Sequence, residues 1–181
     1  VGDLLAAISL LRPRLPDLTA LVVGEGQDRE RFESVAANQG LLDRVTFAGW
    51  VDSVRLPAYF AAADVFVGPS RTGQDGWIEA QGLTFLEAMA VGAPVIASRL
   101  GGIVDAVRHE ETGLLVDEQS PEQIALAVER LQHDHDLRQR IIANAARAVA
   151  EGFTREKCAE RFSALFSGLI RPKGERATRD V

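Results

Sequence analysis

The sequence predicts an α/β domain built on a Rossmann-like parallel sheet with helices on both faces. Two observations carry that prediction. Short apolar runs alternate along the chain with segments of helical periodicity, as in βαβ units. The runs are also continuous rather than alternating, as expected of strands covered on both sides. At 181 residues, 46% hydrophobic and 25% charged, the chain is long enough to enclose one substantial core and has an ordinary globular composition.

The chain opens inside a predicted helix, "VGDLLAAISLL", where Leu4, Leu5, Ile8 and Leu11 fall at helical spacing. No initiator Met, preceding strand or cap stands before it, and the expectation is a fragment of a longer polypeptide. "RPRLPD" breaks the helix, and "LTALVVG" (18–24) reads as a strand buried on both faces. "QDRERFESVAANQG" predicts a helix with Phe32 and Val35 inward and Gly40 as its stop. A strand over 44–49, a short helix within 52–63 and a strand over 64–70 follow. "GLTFLEAMAVG" predicts a helix and "APVIAS" a strand. A glycine turn and short helix lead to the strand "LLVD". Ser120, Pro121 and Gln123 predict a capped long helix. Thr154 caps a final helix running to about Ile170, so the domain covers 1–170 and a polar tail covers 171–181.

Charge and composition exclude several functions. The net charge of −6 gives no global field for nucleic acid or anionic membrane, so an anionic ligand must be recognised locally. One cysteine, Cys158, precludes an internal disulfide and fits a reducing cytosol. No apolar run approaches the roughly 20 residues of a membrane helix, and Asp3 interrupts what would be a signal sequence.

Ligands of open α/β sheets sit beyond the carboxyl ends of strands, near helix N-termini. Three segments place special residues there. In "GEGQDRE", Gly24 and Gly26 allow either a phosphate approach or a plain strand-to-helix turn; Arg29 occupies the third glycine position of a dinucleotide fingerprint. In "IEAQGLTFLEAMAVG", Gly82 opens a helix whose Gly82, Leu83 and Thr84 N–H groups would cradle a diphosphate. Glu87 lies a turn deeper on a helix that is apolar nearly all round, where a buried carboxylate needs a partner. Its two oxygens suit vicinal ribose hydroxyls. Glu79, before the helix, is either a ligand for hydroxyls beyond the phosphates or a loop acid. In the third segment, Gly101 and Gly102 read as structural turn residues. "HDHD" (133–136) reads as a solvated helix junction rather than a metal cluster, and Cys158 as a packing residue.

"VGEGQDRERFE", "VTFAGWV", "ADVFVGPS", "EAQGLTFLEAMAVGAPVIAS", "GGIVDAV" and "TGLLVD" together resemble, in the same order, retaining glycosyltransferases of the GT-B fold, family 4. The resemblance spans nearly the whole chain. Its specific signature is the E-x7-E motif, Glu79 to Glu87 with Gly82 between them.

The resemblance implies the C-terminal, donor-binding half of a two-domain enzyme. Glu87 would hold the ribose of a nucleotide diphosphate sugar, and Glu79 would be the catalytic-site contact to the donor sugar. Gly82, Leu83 and Thr84 would meet diphosphate or sugar. Gly24 and Gly26 match the family's glycine turn, and Gly49 and Trp50 lie where the family frames the base. It implies no metal and no cofactor beyond that co-substrate. The acceptor, a glycan or lipid-linked molecule, would be held by an N-terminal domain. The implied location is cytoplasmic, with peripheral attachment of the full-length enzyme to the membrane allowed. The family's diphosphate-clamping Arg and Lys fall upstream of Val1, so the chain alone is expected to be inactive. "GGIVD" departs from the family's GGIPE, with Val104 and Asp105 at the short helix. A GT-B nucleotide-sugar epimerase and a non-catalytic nucleotide-binding module are the alternatives. In the final helix, Phe162, Leu165, Phe166 and Ile170 form an apolar face, for self-association or for packing on the sheet.

Overall fold

The computed structural model describes residues 1–169; Ile170 and the expected tail 171–181 lie outside them. In chain order the elements are α1 (Gly2–Leu11), β1 (Ala20–Val23), α2 (Arg29–Asn38), β2 (Val45–Gly49), α3 (Leu56–Ala62), β3 (Phe66–Gly68) and α4 (Leu83–Ala90). Then come β4 (Val95–Ser98), α5 (Ile103–Ala106), β5 (Leu114–Val116), α6 (Pro121–His133), α7 (His135–Gly152) and α8 (Arg155–Leu169). The α/β alternation read from the sequence holds, and every strand pairing is parallel.

The single expected sheet is divided in two: β1 pairs with β2, while β3, β4 and β5 form a separate three-stranded sheet in that order. The three-stranded sheet is covered on both faces, as its apolar runs require. Successive residues of β4 point to opposite sides. Val95 and Ala97 pack with Phe85 and Met89 of α4 and Ala145 of α7. Ile96 joins Ala7 and Leu11 of α1 with Ile124 and Leu131 of α6. All four residues of β4 are buried.

The β1–β2 pair differs. Leu5, Ile8, Ala36, Phe32 and Val35 cover one face together with Ala20 and Val22, as expected of Phe32 and Val35. The other face carries Leu21, 48% exposed, and Val23. The expectation of a strand buried on both sides therefore fails for β1: α1 and α2 both lie on the same side of this pair. Helix α1 links the two regions, with Leu5 and Ile8 in one cluster and Ala7 and Leu11 in the other.

Of two caps expected at helix ends, one is corrected and one holds. Ser120 precedes α6 and Pro121 stands in its first turn, but the Ser120 side chain forms no cap. Gln123 instead reaches past it to Asp117, accepting from its N–H at 2.8 Å and donating to its carboxylate at 2.8 Å. Thr154 does cap α8, its Oγ1 accepting from the Lys157 N–H at 3.2 Å. No residue of α8 is buried, and Phe162, Leu165, Phe166 and Leu169 all face outward. Cys158, expected to pack, is exposed as well. No described helix is long and apolar enough to cross a membrane.

Candidate functional site

The residues singled out in the sequence fall into two groups, each at the carboxyl ends of its strands. In the first group, Gly24 follows β1 and Gly49 closes β2. The Gly24 N–H donates to the Gly49 carbonyl at 2.8 Å, and both glycines have positive φ, a region that favours residues without Cβ. Gly26 has ordinary φ, and a Cβ placed on it would meet no atom within 4 Å. Its surroundings are open, so packing does not demand glycine there. Trp50, next in chain, is 71% exposed. Arg29 braces the group: Nη2 donates to the Phe47 carbonyl at 3.2 Å and Nε to Glu33 at 2.8 Å. Its place in an incomplete glycine fingerprint gave no hint of this role.

The second group surrounds the start of α4. Gly82 is the N-cap residue, with φ 68° in the left-handed region. A Cβ on it would stand 2.5 Å from the Phe85 ring, and one on Gly68 would stand 2.4 Å from the same ring. The Phe85 side chain thus fills a slot that two glycines leave open, where it also meets Phe66 edge-on at 5.5 Å. Gly68 was not singled out in the sequence. The clue available was a glycine ending an apolar run, with an aromatic three positions into the next helix.

Glu79 is half-buried, and its Oε1 accepts from the N–H groups of Gly82 (3.1 Å) and Gln81 (3.4 Å). The Gly82 N–H, expected to face a ligand, is therefore taken. The Leu83 and Thr84 N–H groups remain without a side-chain cap. Oε2 of Glu79 forms no hydrogen bond among the described residues.

Glu87 is exposed, which corrects the reading of a buried carboxylate. Phe85, Leu86, Ala88 and Met89 turn inward. Leu83, Thr84, Glu87, Ala90 and Val91 lie outward. The outward strip includes Leu, Ala and Val, so the helix reads as apolar all round although one face meets solvent. Leu83, Thr84 and Glu87 share that face by their spacing of three and four residues. The strip presents two uncapped N–H groups and, one turn on, a carboxylate with no ion-pair partner among the described residues.

The loop between β3 and α4 is tied down at both ends. Near its start, Arg71 forks onto Asp3 of α1, with Nε 2.7 Å from Oδ2 and Nη2 on Oδ1. Asp3 is only 5% exposed, and this hydrogen bond raises the Arg71 pKa above its ordinary value. Thr72 grips Glu118 in the same two-pronged way, through its N–H (2.6 Å) and Oγ1 (3.1 Å). At the far end, the Gly102 N–H donates to the Glu79 carbonyl at 3.0 Å. A Cβ on Gly101 would lie 2.2 Å from the Glu79 carbonyl oxygen, and one on Gly102 would lie 1.8 Å from that of Ala80. The structural role read for this glycine pair is thus correct, and its cause is the close passage of the site loop.

The "HDHD" stretch lies between α6 and α7, where Asp134 caps α7 by accepting the Leu137 N–H at 2.9 Å. Among the described residues, no group of three or more His, Cys, Asp or Glu side chains is arranged to hold a metal ion.

Parallel strands, crossover helices and glycine turns at the strand ends define a Rossmann-like α/β domain. Residues 1–148 match the family model "Glycosyl transferases group 1", and the chain belongs to that family. It is 42% identical, over 134 residues, to a GDP-mannose-dependent alpha-(1-6)-phosphatidylinositol monomannoside mannosyltransferase of Mycobacterium tuberculosis, a match covering 74% of this chain and 35% of that protein. The chain therefore spans about a third of the length of that relative. Among solved structures, sucrose-phosphate synthase from Thermosynechococcus elongatus superposes with a TM-score of 0.78 at 34% identity, over 92% of this chain and 41% of that one. The C-terminal domain of a group 1 glycosyltransferase (LpcC) from Francisella tularensis superposes with a TM-score of 0.70 at 28% identity, over 84% of this chain and 78% of that one.

Proposed function

We propose that this chain is the donor-binding half of a retaining, family 4 type hexosyltransferase that uses a nucleotide diphosphate sugar. The observation that carries the reading is the outward strip of α4. Two uncapped N–H groups at the positive end of a helix dipole suit a diphosphate. A solvent-facing carboxylate one turn further suits a pair of ribose hydroxyls. Glu79, oriented by the N–H groups of its own loop, keeps Oε2 for a hydroxyl of the donor sugar. Gly24, Gly26, Gly49 and Trp50 frame the nucleoside end. The GDP-mannose dependence of the mycobacterial relative supports a nucleotide sugar as donor, and the likeness to a C-terminal domain of the same family supports a donor half.

Catalysis in this reading rests on positioning and on stabilising the departing diphosphate, without a resident metal or cofactor. The acceptor, a glycan or lipid-linked molecule, is taken up by another part of the enzyme, which works in the cytoplasm or at the membrane surface. Calorimetric titration of UDP-, GDP- and ADP-sugars into the whole protein and its Glu87→Ala variant tests this. One donor should bind, and the variant should lose about tenfold or more in affinity, the worth of one charge-assisted pair of hydrogen bonds. Unchanged affinity removes Glu87 from the ribose role, and absence of binding to every donor overturns the reading.

A further inference from the structure

We infer that the Asp3–Arg71 and Thr72–Glu118 clasps are positioning elements for the sugar end of the site, setting how strongly a sugar-bearing nucleotide is preferred over the bare nucleoside diphosphate. The inference rests on the donor-site reading above and concerns residues not assigned to the site so far.

Residues 69–82 leave β3 and return to α4 without helix or strand. Loops of this length within compact domains are held by specific contacts or are mobile. Here adjacent residues are gripped from different sides, Arg71 by α1 and Thr72 by the loop between β5 and α6. Each grip sets two donors on two carboxylate oxygens, which fixes direction as well as distance. The middle of the loop is closed by its own hydrogen bonds: the Gly73 N–H to the Trp77 carbonyl at 2.7 Å, and the Trp77 N–H to Asp75 Oδ1 at 3.0 Å. The loop then delivers Glu79 against Gly101 and Gly102. The path from the clasps to Glu79 is thus a chain of short, directional contacts.

Fold stability alone accounts poorly for Asp3. A carboxylate this deeply buried costs desolvation, which its half-exposed partner Arg71 offsets only in part. What the ion pair adds is geometry. Glu87 by contrast rides on α4, which is anchored by Phe85, Leu86 and Met89 in the core and does not depend on the clasps. Loosening the loop should therefore displace Glu79 relative to Glu87, weakening contacts to the sugar while sparing those to the ribose.

The test compares UDP with UDP-glucose and GDP with GDP-mannose by calorimetry on the whole protein, with Glu118→Ala, Thr72→Val and Arg71→Lys. Arg71→Lys keeps the charge and loses the fork. Glu118→Ala removes an outlying clasp, so it keeps the test valid should Arg71 variants fold poorly. The expected result is a fall of about tenfold or more in affinity for the sugar-bearing nucleotide, the scale of effect that misplacement from a distance produces. The bare diphosphate should stay within about twofold, a resolution well inside the tenfold that ~1.4 kcal/mol represents. Parallel loss of both ligands, or no change in either, overturns the positioning role while leaving the donor site standing. A wild-type protein that binds none of the four, nor ADP or an ADP-sugar, overturns the donor-site reading and this inference with it.

Discussion

The β1–β2 region and the β3–β5 region meet the same demand, a glycine turn at the end of a parallel strand, and meet it in opposite ways. Around β3–β5 the glycines are spent on packing. Gly68 and Gly82 admit the Phe85 ring, and Gly101 and Gly102 let the site loop pass. Around β1–β2 the turn is open. A Cβ on Gly24 or Gly26 would meet no atom within 4 Å and Trp50 projects into solvent, while one on Gly49 would press only on the flexible ends of Arg29 and Glu25, at 3.0 and 3.2 Å. The comparison teaches that a glycine seen in sequence does not disclose whether its missing side chain leaves room for the protein or for a ligand. The space around it does.

Gly102→Ala should break the packed region hardest. Its new Cβ would meet the Ala80 backbone at 1.8 Å, and backbone cannot move aside as a flexible side-chain tip can. Overpacking of this kind costs about 3 kcal/mol or more, read as a lowered midpoint in denaturant unfolding. A loss below about 1 kcal/mol, the ordinary effect of a point substitution, would show that the loop over 79–80 yields easily and is not fixed from this side.

How much of this was legible follows from the range of each interaction. The strand-helix alternation, the first-turn place of Pro121 and the cap at Thr154 are local and were read correctly, while the Ser120 cap was not. The division into two sheets was not, because pairing depends on neighbours that a single run of apolar residues does not name. Leu21 and Val23 look as buried in sequence as Val95 and Ile96, yet helices cover only one side of β1. Glu87 was misread as buried because Leu83, Ala90 and Val91 disguise an exposed strip. The Asp3–Arg71 and Thr72–Glu118 contacts join residues 68 and 46 positions apart, and no periodicity signals them. The E-x7-E spacing, by contrast, singled out both glutamates without any long-range contact, although the burial inferred for Glu87 was wrong.

The two glutamates of that motif sharpen the comparison within the packed region. Glu79 holds the entry to α4 through Gln81 and Gly82, so Glu79→Ala should cost about 1–2 kcal/mol, as loss of a charged hydrogen-bond acceptor does. Glu87→Ala removes an exposed carboxylate with no protein partner among the described residues, and stability should stay within about 0.5 kcal/mol. Thermal unfolding of the two variants side by side measures the difference. Equal losses would mean that Glu87 has a structural partner when folded, and its candidacy as a ligand residue would weaken accordingly.

A small gain in stability rather than a loss is expected in the open region, at Gly26→Ala. With ordinary φ and no atom within 4 Å of the new Cβ, the folded state accommodates the methyl group. The unfolded chain meanwhile loses freedom, so the variant should be more stable by about 0.4–1 kcal/mol. If the open space is where a nucleotide approaches the turn, the same methyl should weaken nucleotide binding by the whole protein even as unfolding shifts upward. Stability and affinity moving in opposite directions would mark Gly26 as a glycine kept for a ligand. If both rise or affinity is untouched, the turn after β1 is a plain connection, and the donor site is confined to the α4 side of the molecule.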